Sequence, residues 1–259
     1  MIPLLLTLAA PAATVADTPE AELRRCTQQV RAAPDKALAA AEQWRAKGGG
    51  LPARQCLALA YAALERWPAA AAAFEEAAQE AETKQDGRRA DFWVQAGNGW
   101  LAAADPTRAR KAFDAALATA LLPNELKGEV HLDRARAGVA LGDLAGARAD
   151  IDKGLALVPA DPFAWYLSAA LARRQDDVAR AQSDIAKAVK LAPDDAAILL
   201  EAGNVAGVSG ETEAAEALYA RAARAAPNSD AGRAAQAALA ANAAPARTRP
   251  QRPVPVEGR

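Results

Sequence analysis

The chain carries little that could do chemistry. Of its 259 residues one is histidine, two are cysteine and four are serine. His131 has no second imidazole with which to share a metal or a proton, and a structural zinc site takes about four Cys or His ligands. Its place on an apolar helical stripe reads as a core position. Ser168, Ser183, Ser209 and Ser229 lack both the Gly-x-Ser-x-Gly setting and a partner base that would activate a hydroxyl. Gly97-Asn98-Gly99 is too short for a phosphate-binding fingerprint and falls inside a helical pattern rather than after a strand. Glu75-Glu76 and Asp194-Asp195 are sequence neighbours at helix surfaces and turns, where carboxylates are solvated. The 31 Lys and Arg against 32 Asp and Glu leave a formal charge of −1, which excludes a strongly basic nucleic-acid surface. The chain reads as one with no catalytic residue, no metal and no cofactor.

What it has in quantity is alanine, 76 residues in all. The larger apolar types are too few for a deep core. Thin layers packed through small side chains fit the composition better. A period organises them. Pro159, Pro193 and Pro227 stand 34 residues apart, and so do Gly142, Asp176 and Gly210. Ala147, Ala181 and Ala215 keep the same step, as do Ile151, Ile185 and Tyr219, and Ala135, Ala169 and Gly203. A period of this length marks stacked supersecondary units. The first half of each unit has apolar residues at helical spacing, as in Trp165, Ala169 and Ala172. A Gly or Asp then breaks the helix, a second helical stripe follows, and proline stops it. Where the two helices cross, Ala135, Ala169 and Gly203 are expected to face Ala147, Ala181 and Ala215. Ile151, Ile185 and Tyr219 are expected to fill the hollow toward the next unit.

This pattern resembles the tetratricopeptide repeat family. Trp93-x-x-Ala96-Gly97-x-x-Trp100, followed by Ala109, Phe113 and Ala116, matches its consensus with Ala for Leu and Trp for Tyr. Leu57-Ala58-x-x-Tyr61, then Ala70, Phe74 and Ala77, give an earlier unit. The resemblance covers about 51–84, 90–123, 128–161, 162–195 and 196–229, with four extra residues before 128. Residues 17–50 read as a degenerate first hairpin, in which Ala37, Ala41 and Trp44 keep the second-helix phase and Gly48-Gly49-Gly50 ends the segment. Residues 230–241 read as a solvating end helix. The resemblance implies an all-α fold, a right-handed superhelical solenoid of antiparallel helix hairpins with first helices lining a concave groove. It implies a non-enzymatic module that binds a peptide or helix of a partner protein there. By the family's ligand-contacting phases the groove takes in Asn98, Leu101, Leu132, Arg136, Val139, Tyr166, Arg173 and Asn204. Asn98 and Asn204 would pair with peptide main chain, and Arg136 and Arg173 would fork onto a carboxylate or else pair with neighbours such as Asp133 and Asp177. The family's Lys–Asn carboxylate clamp is not carried over, because its Lys phase holds Gln55, Val94, Leu132, Tyr166 and Leu200. First helices of successive units pack side by side, which would bring Cys26 near Cys56. In an exported chain these two form a disulfide worth roughly 3–4 kcal/mol by loop closure. In a reducing compartment they are two buried thiols.

The ends bear on compartment. Residues 1–16, apolar and then small, read as a secretory signal peptide with cleavage after Ala16 or Ala12, although no Lys or Arg precedes Leu4. The stretch is short of the roughly 20 residues that a membrane span needs. The alternative is an apolar tail on a cytoplasmic protein. Residues 242–259, with four prolines and four arginines after Ala244, read as a disordered tail. The expected place is the bacterial periplasm, and the expected partner is a protein or peptide, not a nucleic acid. A second reading is a scaffold subunit of a cell-envelope secretion or outer-membrane assembly complex.

Overall fold

Prolines and left-handed turn residues cut the chain into helices. The computed structural model describes residues 18–120 and 122–243. The expected signal peptide lies outside them, and so does the Pro/Arg-rich tail apart from Asn242 and Ala243, which belong to the last helix. Among the described residues there are thirteen helices and no strand. They are α1 (Pro19–Ala32), α2 (Pro34–Ala46), α3 (Gly50–Ala63), α4 (Trp67–Thr83), α5 (Arg89–Ala102), α6 (Pro106–Ala118) and α7 (Asn124–Ala140). Then come α8 (Leu144–Leu157), α9 (Pro162–Arg174), α10 (Val178–Leu191), α11 (Ala196–Val208), α12 (Thr212–Ala225) and α13 (Asp230–Ala243).

The stops have local causes. The helices α8, α10 and α12 end two residues before Pro159, Pro193 and Pro227. Ala192 and Ala226, each preceding a proline, leave helical geometry at φ −137° and −147°, as the proline ring requires. Gly142 and Gly210 turn at φ +79° and +80°, the left-handed region that costs glycine nothing. Asp105, Asp161, Asp177 and Asp195 each accept a backbone N–H from the first turn of the next helix. The four extra residues before 128 form no loop. They lengthen α7 to 17 residues, against 13 in α9 and α11.

The chain divides into two units, Met1–Ala147 and Arg148–Arg259. In the first, consecutive helices from α1 to α7 pack on one another, and α1 also touches α3, as α5 touches α7. Its core centres on Phe74, Phe92, Trp93, Trp100 and Phe113 amid alanines. A smaller cluster under α1 and α2 contains Cys26 and Cys56, which are joined in a disulfide with their Cα atoms 6.0 Å apart. In the second unit α9 to α13 pack consecutively, and α11 touches both α9 and α13.

At two crossings an aromatic ring lies over glycine. A Cβ at Gly203 would strike the ring of Tyr219 within the same hairpin, and Tyr219 also shares a cluster with Ala235 of the next helix. Gly97 lies under Phe113 in the same way. In the α7–α8 hairpin the alanine of the second helix also meets a small residue one turn further along the first. A Cβ added to Gly138 would lie 3.4 Å from that of Ala147. One repeat on, Ala169, Ala172 and Ala181 share a buried cluster, and Ala206 and Ala215 share another.

Two predictions follow from the turns. Ala104, at φ +57°, occupies a left-handed position where other turns have glycine. Ala104→Gly is expected to stabilise the protein by about 1 kcal/mol, seen as a higher midpoint of thermal unfolding followed by helical circular dichroism. Before α5, Asp86 accepts a 2.8 Å ion pair and further hydrogen bonds from Arg88, and these hold its carboxyl down at about 2. That contribution is present above the unfolded value near 4 and is lost as the pH falls from about 4 to 2. Arg88→Ala should return the Asp86 midpoint toward the ordinary value, read from its carboxyl carbon by NMR.

Candidate functional site

In the second unit, the stripe Phe163, Tyr166, Ala170 and Arg173 runs along one side of α9 at helical spacing. Leu200, Asn204 and Gly207 form the matching stripe of α11, and Val208 next to it matches Arg174. Arg173 bridges the two helices with a fork, Nε to Glu201 Oε1 at 2.7 Å and NH2 to Oε2 at 3.1 Å. Glu201 is only 5% exposed. Its carboxylate, chiefly through these hydrogen bonds, raises the guanidinium above its ordinary value. Asn204 Nδ2 donates to Glu201 Oε2 at 2.9 Å, and the Tyr219 hydroxyl donates to Asn204 Oδ1 at 3.1 Å. Burial raises that hydroxyl's pKa. Arg173 therefore does fork onto a carboxylate, but one supplied by the neighbouring helix of its own chain and not by Asp177. Both polar ends of the Asn204 amide are engaged in the same network.

Beside this network the surface is apolar and open. Phe163 is 41% exposed and stacks on Tyr166 with ring centroids 5.6 Å apart. Val208 is 56% exposed, and Leu200 is half-buried. Arg174, next to Arg173, is exposed.

The first unit places its expected groove residues less openly. Asn98 donates a hydrogen bond to Asp133, and Arg136 NH1 pairs with the same carboxylate at 2.9 Å. Burial, the largest effect, still pushes the Asp133 carboxyl upward. Arg136 thus takes the neighbouring partner foreseen for it. Leu101 and Val139 are half-buried. Leu132 is corrected outright: at 2% exposure it is core and offers a partner no surface.

One polar network escaped the sequence reading. Ser168 is fully buried. Its hydroxyl donates to Asp184 Oδ2 at 2.7 Å and accepts from Arg148 at 2.8 Å, while Arg148 also reaches the Ser168 carbonyl at 2.9 Å. Arg180 and Lys187 complete the shell of Asp184. Burial depresses the Arg148 guanidinium below its ordinary value. A related bond occurs one repeat earlier. Asp114 on α6 pairs at 2.7 Å with Arg134 on α7, which stands 34 residues before Ser168, whereas Asp114 itself aligns with Asp152 because of the four extra residues before 128. Each of these latches joins a second helix to the next first helix, 20 residues on. Only Arg134 and Ser168 share a repeat position, so the period gave no sign of the latches.

His131 is buried on α7. Among the described residues no group of three or more His, Cys, Asp or Glu side chains is placed to hold a metal ion. Among them, too, no helix is long and apolar enough to cross a membrane.

No family model matches the sequence, and no curated protein matches it. Solved structures do resemble it. PilW, described as a widely conserved type IV pilus biogenesis factor, aligns with TM-score 0.68 at 20% identity, over 87% of this chain and 100% of its own. Pseudomonas aeruginosa PilF aligns with TM-score 0.66 at 16% identity, over 85% of this chain and 97% of its own. YrrB, described as a TPR protein with an unusual peptide-binding site, aligns with TM-score 0.52 at 16% identity, over 76% and 96%. The chain has the tetratricopeptide-repeat fold.

The network and the open apolar surface should separate on mutation. Glu201→Ala leaves Arg173 and Asn204 short of an acceptor and is expected to cost about 2 kcal/mol. Phe163→Ala removes an exposed ring and should stay within about 0.5 kcal/mol of the parent. Urea unfolding of the two variants measures the difference.

Proposed function

We propose that this protein is a non-enzymatic interaction module whose second unit binds a peptide or helix of a partner protein across the α9–α11 face. The observation that carries the reading is the exposed, stacked Phe163–Tyr166 pair on α9, with Val208 exposed at the opposite end of the face on α11, on two helices fixed to each other by the Arg173–Glu201–Asn204–Tyr219 network. Exposed apolar side chains on a rigid backing are what a docking surface needs, because little ordering entropy is lost on binding. The partner's apolar side chains would lie on the two rings, and the exposed Arg174 would favour a carboxylate nearby. The network residues Arg173 and Asn204 act as the backing, and contact with the partner falls mainly to Phe163, Tyr166, Leu200 and Val208. The non-enzymatic reading draws support from the burial of Ser168 and His131, which closes both to a substrate.

We place the protein in the bacterial periplasm. The apolar segment 1–16 supports this, as does the disulfide, a bond that persists in oxidising compartments. The resemblance to PilW, a pilus biogenesis factor, favours a second reading as a scaffold subunit of an envelope assembly.

A photo-crosslinking residue at position 163 of the full chain should capture a protein partner in envelope preparations, and one at Lys190 on the exposed side of α10 should not. The double change Phe163→Ala and Val208→Ser should lower partner retention about tenfold or more with helical content unchanged. Equal capture from both positions, with retention unaffected, would overturn the assignment of this face.

A further inference from the structure

The hairpin α1–α2 packs on α3 mostly through small side chains, and one covalent bond ties it there. The buried side chains are Ala21 and Cys26 on α1 and Ala37, Leu38 and Ala41 on α2. Leu23, Val30 and Trp44 are partly buried against the same cluster. Alanine buries little area, so this contact is thin compared with the aromatic core of α4 to α6. The chain link to α3 is Gly48-Gly49-Gly50, with Gly48 at φ +84° and Gly50 at φ +58°. It is a natural pivot, since glycine crosses between backbone regions without steric cost. Besides this packing and a long Tyr61–Glu42 hydrogen bond of 3.5 Å, the tie is the bond from Cys26 on α1 to Cys56 on α3.

That bond is not sealed in the core. A cavity of about 210 Å³ lies against it, with both cysteines in its wall together with Glu22, Arg25, Gln29 and Trp44. Cys26 is 7% exposed and Cys56 1%, which makes the Cys26 sulfur the more approachable.

We propose that Cys26–Cys56 is a thiol–disulfide exchange site for a dithiol, and that its reduction swings the α1–α2 hairpin off α3. One thiolate of the dithiol attacks Cys26 Sγ. The Cys26–Cys56 bond breaks, a mixed disulfide forms on Cys26, and Cys56 leaves as a thiolate that takes up a proton. The second thiol of the reagent, deprotonated, then attacks its own sulfur in the mixed disulfide and expels the Cys26 thiolate, which is protonated in turn. Two electrons pass to the protein, and the dithiol ends as a disulfide. With the strap cut, α3 loses its cover over Leu57 and Ala60, which lie in the cluster beneath the hairpin. The apolar flank of α3 becomes available only in the reduced protein. This inference does not depend on the α9–α11 docking face and can fail or hold without it.

The test uses the full chain and dithiothreitol without denaturant. Both thiols should become titratable while the helices of the second unit keep their hydrogen-exchange protection. Residues 19–46 should exchange about a hundredfold faster or more, as expected when a closed loop of this length is opened. The Cys26→Ser/Cys56→Ser variant should show the same fast exchange in that segment without reductant. Three results would each overturn the proposal: a bond that resists dithiothreitol until denaturant is added, unchanged protection of 19–46 after native reduction, or two free thiols in protein recovered from an oxidising compartment.

Discussion

Two helices joined by a three-residue turn can approach only as closely as the side chains at their crossing permit. The whole chain answers to that constraint. Close approach needs glycine or alanine on at least one side at each contact, which explains the alanine content and the pairing of Gly97 with Phe113 and Gly203 with Tyr219. At Gly99 the approach reaches the backbone, since an added Cβ would lie 3.0 Å from the Ala71 Cα. Layers built this way are thin, and alanine contributes little burial per residue. Stability must then come also from bonds between layers. The Arg148–Ser168–Asp184 latch, the Arg173–Glu201 fork and the Cys26–Cys56 bridge each join helices belonging to different hairpins.

That division of labour decides what the surface has to offer. The groove residues chosen for their hydrogen-bonding ability prove to be occupied. Asn204 and Arg173 hold Glu201, and Asn98 and Arg136 hold Asp133. The groups left without intramolecular work on the α9–α11 face are mostly apolar. A surface of this kind selects a partner by shape and by the burial of its side chains, and it loses little by desolvation because its polar groups are already satisfied.

The helices, their order and their turns were legible in the sequence because repetition averages out local ambiguity. Pro159, Pro193 and Pro227 mark ends that a single unit would have left uncertain. The left-handed turns at Gly142 and Gly210 were legible for the same reason, whereas those at Glu65, Gln85 and Ala104 were not, because no residue type there announces them. The site was less legible. Phase along a helix separates its inner from its outer side, but Leu132 shows that a residue on the right stripe can still be covered by a neighbour. Pairings such as Arg173 with Glu201 span 28 residues and depend on how neighbouring units lean, which a periodicity does not state. The Ser168 network was hidden by its composition, since a serine beside an alanine column reads as one more small residue.

The extra residues ahead of position 128 have one further consequence. They extend α7 by about one turn, and four residues rotate a helix by roughly 400°, a residual offset of about 40°. The apolar stripe downstream therefore keeps its bearing. An insertion of two residues would turn it by about 200° and present polar side chains to the layer behind. Inside a helix packed on both sides, an insertion keeps the buried stripe facing its neighbours only when it adds close to a whole turn, whereas the free ends can vary by single residues.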